Sequence, residues 1–514
     1  MYKNKFFYFS VIIFIIINLI IFINLSLYND DWLFYNISDQ TFSDWSLRVW
    51  NGEGGVIRRH IVVPYYILLH LIPPFLIYCF SLLLSFIILI LFFQLALKLI
   101  KKNVIEKYSK EISSNLFFLT FLIWYFFPFN IGGQFWITGI IHTKLSTIFL
   151  LLNLKFLIDK KIFFSLFFLG LSFNSYEIFF FSYLPLSVIF FIGGLVEKKD
   201  FKNYFFGSLI IQIFFLLNKI RPENSIEKID YLDVLLESIL NMGKLFWGIY
   251  SIIPIDITLY IKLILIIVIV GSILFITFKT FKVYKNNFFY KFILLLIFSF
   301  ILNSIVMSLG NYGYWGKGIF SRTMFMPSFL ILFYFSLIFA TKTKLNVIFT
   351  SFLFLITFLL FLNEINNWKI SKNIQSQIIE KFNILEKFEQ QNNLILFKGP
   401  CYVNGVDIFN ATWDLNSAVE INYPSLSTNN FIPTQDWKVY LKNDQKLMIH
   451  IFEYELKKYE NIILWDYNNN VIKILDDLMN VDFNNLSSKK CNIGSNEKER
   501  AKNFITILKN YEFN

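Results

Sequence analysis

Long apolar runs broken by short polar stretches recur from Phe6 to Asn363. A helix crossing a bilayer core needs roughly 20 apolar residues, and on that ruler the runs predict about eleven membrane spans. They fall near 6–27, 75–98, 115–129, 138–157, 161–175, 178–196, 204–220, 257–278, 290–309, 323–341 and 345–363, with 115–129 and 161–175 the shortest. The first run is too long for a signal-peptide core and lacks a small-residue cleavage site, so an uncleaved signal anchor is expected. Segment 61–74 ends in Pro73 and Pro74 and is too short to cross. It is expected to lie as a helix along the membrane surface.

After Asn363 the pattern changes. Ile370, Ile374, Ile378, Phe382 and Leu385 recur at helical spacing, predicting an amphipathic helix over 371–390. Leu394 to Phe397 reads as a strand stopped by Gly399 and Pro400, and two further apolar runs flank Asn468 to Asn470 as a hairpin. A tail of this length can bury a core of its own. The expected fold class is therefore mainly α: a polytopic helical membrane domain over 1–363, then a small mixed α/β extracytoplasmic domain over 364–514.

Composition agrees with lipid as the solvent. Of 514 residues 56% are hydrophobic and 16% charged, against about a quarter charged in an ordinary soluble domain. Phe, at 65 residues, suits long apolar helices, whereas the abundance of Lys, Asn and Ile fits an AT-rich coding sequence and is given no structural weight. The formal charge of +11 falls in short clusters between apolar runs, not in one patch, which sets nucleic-acid binding aside. Lys3 and Lys5, Lys98 to Lys110, Lys160 and Lys161, Lys198 to Lys202, Lys279 to Lys291, and Lys342 with Lys344 mark every alternate loop as basic. By the positive-inside rule these loops and the N-terminus are cytoplasmic, and the tail is extracytoplasmic. Such a membrane is the cell (inner or plasma) membrane. Cys79, Cys401 and Cys491 are too few for a disulfide framework, although an oxidising compartment would permit a Cys401–Cys491 bond.

The expected outer loops carry the candidate chemistry. Asn29-Asp30-Asp31-Trp32 follows the first span directly. Two adjacent carboxylates at the membrane surface can take a proton from a hydroxyl or hold a divalent cation, and they can equally cap a helix. Within the loop 28–60, Trp45, Trp50 and Gly55-Val56-Ile57-Arg58-Arg59 bring rings and a cation pair suited to phosphate, or to lipid headgroups. Gly132-Gly133-Gln134-Phe135-Trp136 precedes His142 and Lys144 as a flexible aromatic turn. Glu177 lies between two apolar runs, as a functional carboxylate or a helix cap. Glycines around Lys317, with Arg322 beyond, allow close backbone approach to an anion, or form an ordinary turn.

These residues give the chain a likeness. Acidic residues directly after the first span resemble the GT-C class of membrane glycosyltransferases. Asp30-Asp31-Trp32, then Trp, then Gly and Arg before the second span resemble the phage-type and O-antigen-modifying glucosyltransferases and related families. The resemblance covers the architecture of roughly 1–340, with motif agreement at 29–60 and weaker agreement at 132–139 and 174–177. It departs in the doubled Arg, set apart from Gly55. What it implies is transfer of a sugar from a polyprenyl-phosphate-linked donor to a glycan, lipid or protein acceptor outside the cytoplasm. Asp30 or Asp31, with Asp31 preferred, would then match the acidic position of the first loop and act as general base or position it. Trp32, Arg58, Arg59, Trp136, Glu177, Lys317 and Arg322 would contact substrate, with membrane lipids around them; no cofactor is required, and a divalent cation is compatible. The reading from a different class is a transporter or flippase of a lipid-linked saccharide, which calls for polar groups near the bilayer midplane.

Overall fold

The computed structural model describes residues 5–23, 25, 27–28, 31–32, 72–109, 112–128, 131–176, 180, 182–219, 259–285, 287–309, 325–339, 341, 343–389, 391–403, 406–409, 412–434, 439–443, 445–449, 452–475 and 492–493. The expected surface helix at 61–71 lies outside them.

Every predicted apolar run coincides with a helix: α1 (Lys5–Ile23), α2 (Pro74–Asn103), then the short α3 (Glu106–Ser109) before α4 (Ser114–Tyr125). After the short α5 (Ile131–Phe135) come α6 (Ile137–Ile158), α7 (Ile162–Ser175), α8 (Tyr183–Ile192) and α9 (Lys198–Lys219). α10 (Leu259–Phe281), α11 (Phe288–Leu309), α12 (Phe325–Ile338) and α13 (Lys344–Glu380) complete the bundle. Among the described residues four helical stretches, Pro74–Asn103, Gly139–Ile158, Phe288–Ile305 and Lys344–Phe388, are long and apolar enough to cross a membrane. The bundle's outer surface is apolar: Phe163 is 76% exposed, and Ile210 and Phe278 are each 69% exposed. Such faces are stable against lipid and costly against water. Inside, aromatic rings interlock. Phe14 meets Tyr125 edge-on with centroids 4.8 Å apart, and Phe92 meets Phe333 at 4.7 Å.

The basic loops gather at one end, here called the near end, where α1 begins. Short backbone bridges join Val104 to Tyr284 and Ile112 to Thr341, and Lys98 pairs with Asp159 at 3.3 Å and Lys160 with Glu197. At the opposite, far end α13 does not stop where its apolar run does. It continues unbroken past Asn363 to Glu380, then tightens into a 3-10 turn over Lys381–Phe388. The amphipathic helix expected at 371–390 is thus the outer part of the last apolar helix, because Trp368 and Ile378 find a second buried surface after the lipid ends.

That second surface is the C-terminal domain. Strands β1 (Leu394–Lys398), β2 (Tyr402–Val403) and β3 (Val406–Asp407) lead to α14 (Thr412–Asn422) and β4 (Asn430–Pro433). The meander of β5 (Val439–Asn443), β6 (Lys446–Ile449) and β7 (Phe452–Glu455) leads to β8 (Ile462–Asp466), β9 (Val471–Ile474) and β10 (Asn492–Ile493). The main sheet has the order β4-β1-β8-β9. β1 runs parallel to β4 and β8, and β9 returns antiparallel as the expected hairpin. Continuous apolar runs suit β1 and β8, which are central and covered on both faces. Trp465 anchors the core against Phe397 at 5.0 Å and Phe382 at 5.5 Å.

Asparagines register this sheet. Asn429 Oδ1 accepts from Asn393 N at 3.2 Å and Nδ2 at 2.7 Å, while Asn429 Nδ2 donates to Phe388 O and Leu426 O, each at 3.2 Å. Asn461 Nδ2 donates to Asn393 Oδ1 at 2.9 Å. The starts of β1, β4 and β8 are thereby tied together. The composition had given Asn no structural weight; three of them organise the domain.

Candidate functional site

The far end of α1 is where the bundle, the first loop and the C-terminal domain meet. Tyr28 is the hub. Its hydroxyl donates to Trp368 O on α13 at 2.8 Å, its ring meets the Trp368 ring edge-on at 4.6 Å, and its carbonyl accepts the Trp136 indole N–H at 3.0 Å. Its own N–H donates to Asp31 Oδ2 at 3.1 Å, and Asp31 N–H returns to Tyr28 O at 3.1 Å. This reciprocal pair closes a tight turn over 28–31. Asp31 is 1% exposed, and its carboxylate serves the backbone, which is the capping geometry allowed for at the sequence level.

The turn is held from above as well. Lys372 Nζ donates to Ile23 O at 3.1 Å and Leu25 O at 3.2 Å, covering carbonyls freed at the end of α1. Trp32 packs on Phe409, beyond β3, at 5.9 Å. Ser371 Oγ donates to Asp407 O, and Gln375 Nε2 to Ile408 O at 2.8 Å, so the same stretch of α13 grips the domain. Around this joint several buried polar atoms have no hydrogen-bond partner among the described residues: Trp32 Nε1, Trp368 Nε1, Gln375 Oε1, and both ends of the Gln134 amide. Buried polar groups are nearly always paired, so a cluster of unpaired ones marks ligand or solvent chemistry. Indole N–H donors and an amide suit hydroxyl-rich or phosphate-bearing ligands.

Below the joint lies a buried amino group. Lys144 sits two turns into α6, about 10 Å from its start, and is fully buried. Its Nζ donates to Ser85 Oγ at 2.8 Å, to Ser81 O at 3.2 Å and to Ser81 Oγ, all on α2, and lies 5.7 Å from the Tyr125 ring centroid. Ser81 Oγ in turn reaches Gln134 O at 3.3 Å. No carboxylate pairs with Lys144 among the described residues. A buried ionisable group in an apolar helix, bonded only to neutral oxygens, is a functional candidate by default.

The aromatic turn before α6 is helical. Residues 131–135 form buried α5, and Gly139 is glycine for fit: a Cβ there would stand 2.7 Å from the Trp136 ring and 2.9 Å from Gly132 O. Nearby, His142 Nδ1 contacts Ser175 O at 3.1 Å.

Of the residues singled out by sequence, Asp31, Trp32 and Trp136 come together here, joined through Tyr28 and the domain. Asp30, Arg58, Arg59, Glu177, Lys317, Arg322 and Cys491 lie outside the described residues. Cys401 is buried, with Sγ 4.0 Å from Gly399 O. Among the described residues no three His, Cys, Asp or Glu side chains cluster as metal ligands. Sequence reasoning missed Tyr28, Trp368 and Gln375, and it named Gln134 and Lys144 as members of an outer turn without the buried setting of Lys144. The spacing of Ser81 and Ser85, one turn apart on an otherwise apolar helix, was the available signal for the last.

Compared with protein-family models, curated proteins and solved structures, the chain matches none.

Proposed function

We propose that this chain is a membrane glycosyltransferase of GT-C type, with about eleven spans and an extracytoplasmic C-terminal domain. It moves a sugar from a polyprenyl-phosphate-linked donor to a glycan, lipid or protein acceptor. The observation that carries the reading is the rigid setting of the acidic turn: Tyr28 and Asp31 are fixed between Trp136, the emerging α13 and the domain, where the headgroup of a lipid-linked donor lies. Preorganisation of that kind is what transfer chemistry requires.

In the reaction the acceptor hydroxyl oxygen bonds to the anomeric carbon and the bond from that carbon to the phosphate oxygen breaks. The lipid phosphate leaves with the electron pair, and a carboxylate takes the hydroxyl proton. Because Asp31 holds the turn, it is the positioning residue and Asp30 is the base. Arg58, Arg59, Lys317 and Arg322 stabilise charge on the departing phosphate. Trp32 and Glu177 bind the sugar, while Trp136 supports the turn.

One observation favours the second reading, a flippase or transporter of a lipid-linked saccharide: the buried Lys144 amid polar side chains. A single assay separates them. Asp30→Asn, at normal membrane abundance, is expected to lower sugar transfer by about 10²–10⁴ in vesicles supplied with donor and acceptor on the same face. Full transfer by this variant removes Asp30 as the base, and absence of transfer by the wild type removes the transferase reading. Movement of donor between faces without transfer selects the flippase.

A further inference from the structure

A second feature lies at the near end, away from the acidic turn. Helices α1, α4 and α13 part there to leave a cavity of about 400 Å³ walled by Phe14, Leu119, Leu122 and Phe354, with Ser10 and Ser351 among its few polar atoms. Along α4 the wall runs from Asn115 to Phe126, a rise of about 16 Å, which matches one leaflet of a hydrocarbon core about 30 Å thick. Its floor is shut by the hydrogen bond from Tyr125 OH to Asn18 Oδ1 at 2.7 Å and by Phe14 packed on Phe126 at 5.7 Å. At about 30 Å³ per water-sized group the space admits about a dozen methylenes.

Three helix N-termini gather at the rim for a reason of topology. All three helices run the same way, so three N-termini face one mouth. The Ile112–Thr341 bridge holds those of α4 and α13 side by side. No acidic residue occupies the first turn of any of the three, and Lys344 stands exposed at the start of α13. Each N-terminus carries about half a positive charge. We infer that this groove binds one anionic phospholipid of the near-end leaflet, with an acyl chain between α1, α4 and α13 and its phosphate over the rim beside Lys344. Depth selects a chain that ends at the midplane, and charge selects the headgroup. The site is independent of the reaction proposed above.

The test uses the full chain reconstituted in nanodiscs of phosphatidylglycerol and phosphatidylcholine. The phosphatidylglycerol carries a photoactivatable diazirine near the end of one acyl chain. Expected are adducts on peptides covering 115–126 and 347–354, and one phosphatidylglycerol retained through detergent extraction by native mass spectrometry. Leu119→Trp fills the groove and abolishes both signals at unchanged thermal stability. Lys344→Glu, a surface change that leaves folding intact, shifts the retained lipid to phosphatidylcholine and carries the test if Leu119→Trp does not fold. Adducts spread evenly over the bundle, equal retention of the two lipids, or a Lys344→Glu variant identical to wild type would each overturn the assignment. So would a co-purified polyprenyl chain in the groove.

Discussion

The bundle and the C-terminal domain both bury many polar side chains, yet they satisfy them differently. In the bundle many hydroxyls turn back on their own helix. Thr120 donates to Leu116 O, Thr280 to Ile276 O, Ser336 to Leu332 O and Thr357 to Leu353 O, each four residues earlier at 2.7–2.9 Å. Such bonds say nothing about which helix packs where. In the domain, Asn429 to Asn393 and Asn461 to Asn393 join segments far apart in sequence, and each bond fixes a strand register. Lipid makes every unsatisfied group costly, so local closure is the safe solution there; in the domain the same groups can specify topology. The bundle also bonds across helices, as where Ser172 Oγ donates to Ser146 O at 2.9 Å and where Lys144 reaches Ser81 and Ser85.

The Lys144 contact gives the largest expected effect. Ser81→Ala with Ser85→Ala removes two of the three oxygen acceptors of the buried Lys144 Nζ, leaving the Ser81 carbonyl, and is expected to cost about 3–5 kcal/mol. Adding Lys144→Met should restore most of that loss, as read by thermal unfolding in detergent or lipid. Failure of the rescue would mean that the serines act through packing and not through Lys144. Next, Asn429→Leu leaves donors and acceptors at the starts of β1 and β4 unpaired and should cost the domain about 2–4 kcal/mol. It should lower protection of β1 and β4 amides in hydrogen exchange while the bundle is unchanged.

A smaller effect depends on pH. Burial works to raise the Asp466 carboxyl, but the Asn469 backbone and side-chain N–H groups and Lys398, at 3.2 Å, outweigh it and hold the carboxyl below its ordinary value. Its folded pKa is depressed. The contribution is therefore full above the ordinary carboxyl value of about 4 and is lost as pH falls through the lower folded value. The β8–β9 hairpin should lose about 1–2 kcal/mol on acidification, and Asp466→Asn should flatten that part of the pH profile. Smallest of all, Thr357→Val removes a bond internal to α13 and should cost about 0.5 kcal/mol. A large loss there would erase the contrast between the two regions.

The parts of the fold that were legible are those whose signal is local. Apolar runs mark each helix because a lipid-facing helix needs them wherever its neighbours are. The β8–β9 hairpin was visible because two apolar runs flank Asn468 to Asn470, and Asn470 takes a positive φ of 53° in the turn. The boundary at Asn363 was legible as a change in composition but not as a continuing helix, because Trp368 and Ile378 exchange lipid for protein without changing period. Of the site, the sequence indicated Asp31, Trp32 and Trp136 by position in the first and second expected outer loops. It did not indicate Tyr28, whose role depends on Trp368, some 340 residues away. Lys144 read as an interfacial cation because nothing local distinguishes a lysine that snorkels outward from one drawn inward by two serines on another helix.

The unbroken α13 also behaves as a gear. Its 37 residues run from the near-end rim to the domain, and everything beyond the membrane is set in phase with everything within it. One residue inserted between Asn363 and Trp368 would advance the outer part by about 1.5 Å and rotate it by about 100°. Ser371, Lys372 and Gln375 would then turn away from the domain and from the end of α1 together. Seven inserted residues, close to two full turns, would bring the same face back, displaced outward by about 10 Å. Natural length variation at this point is thus expected to come in helical turns, with single residues excluded.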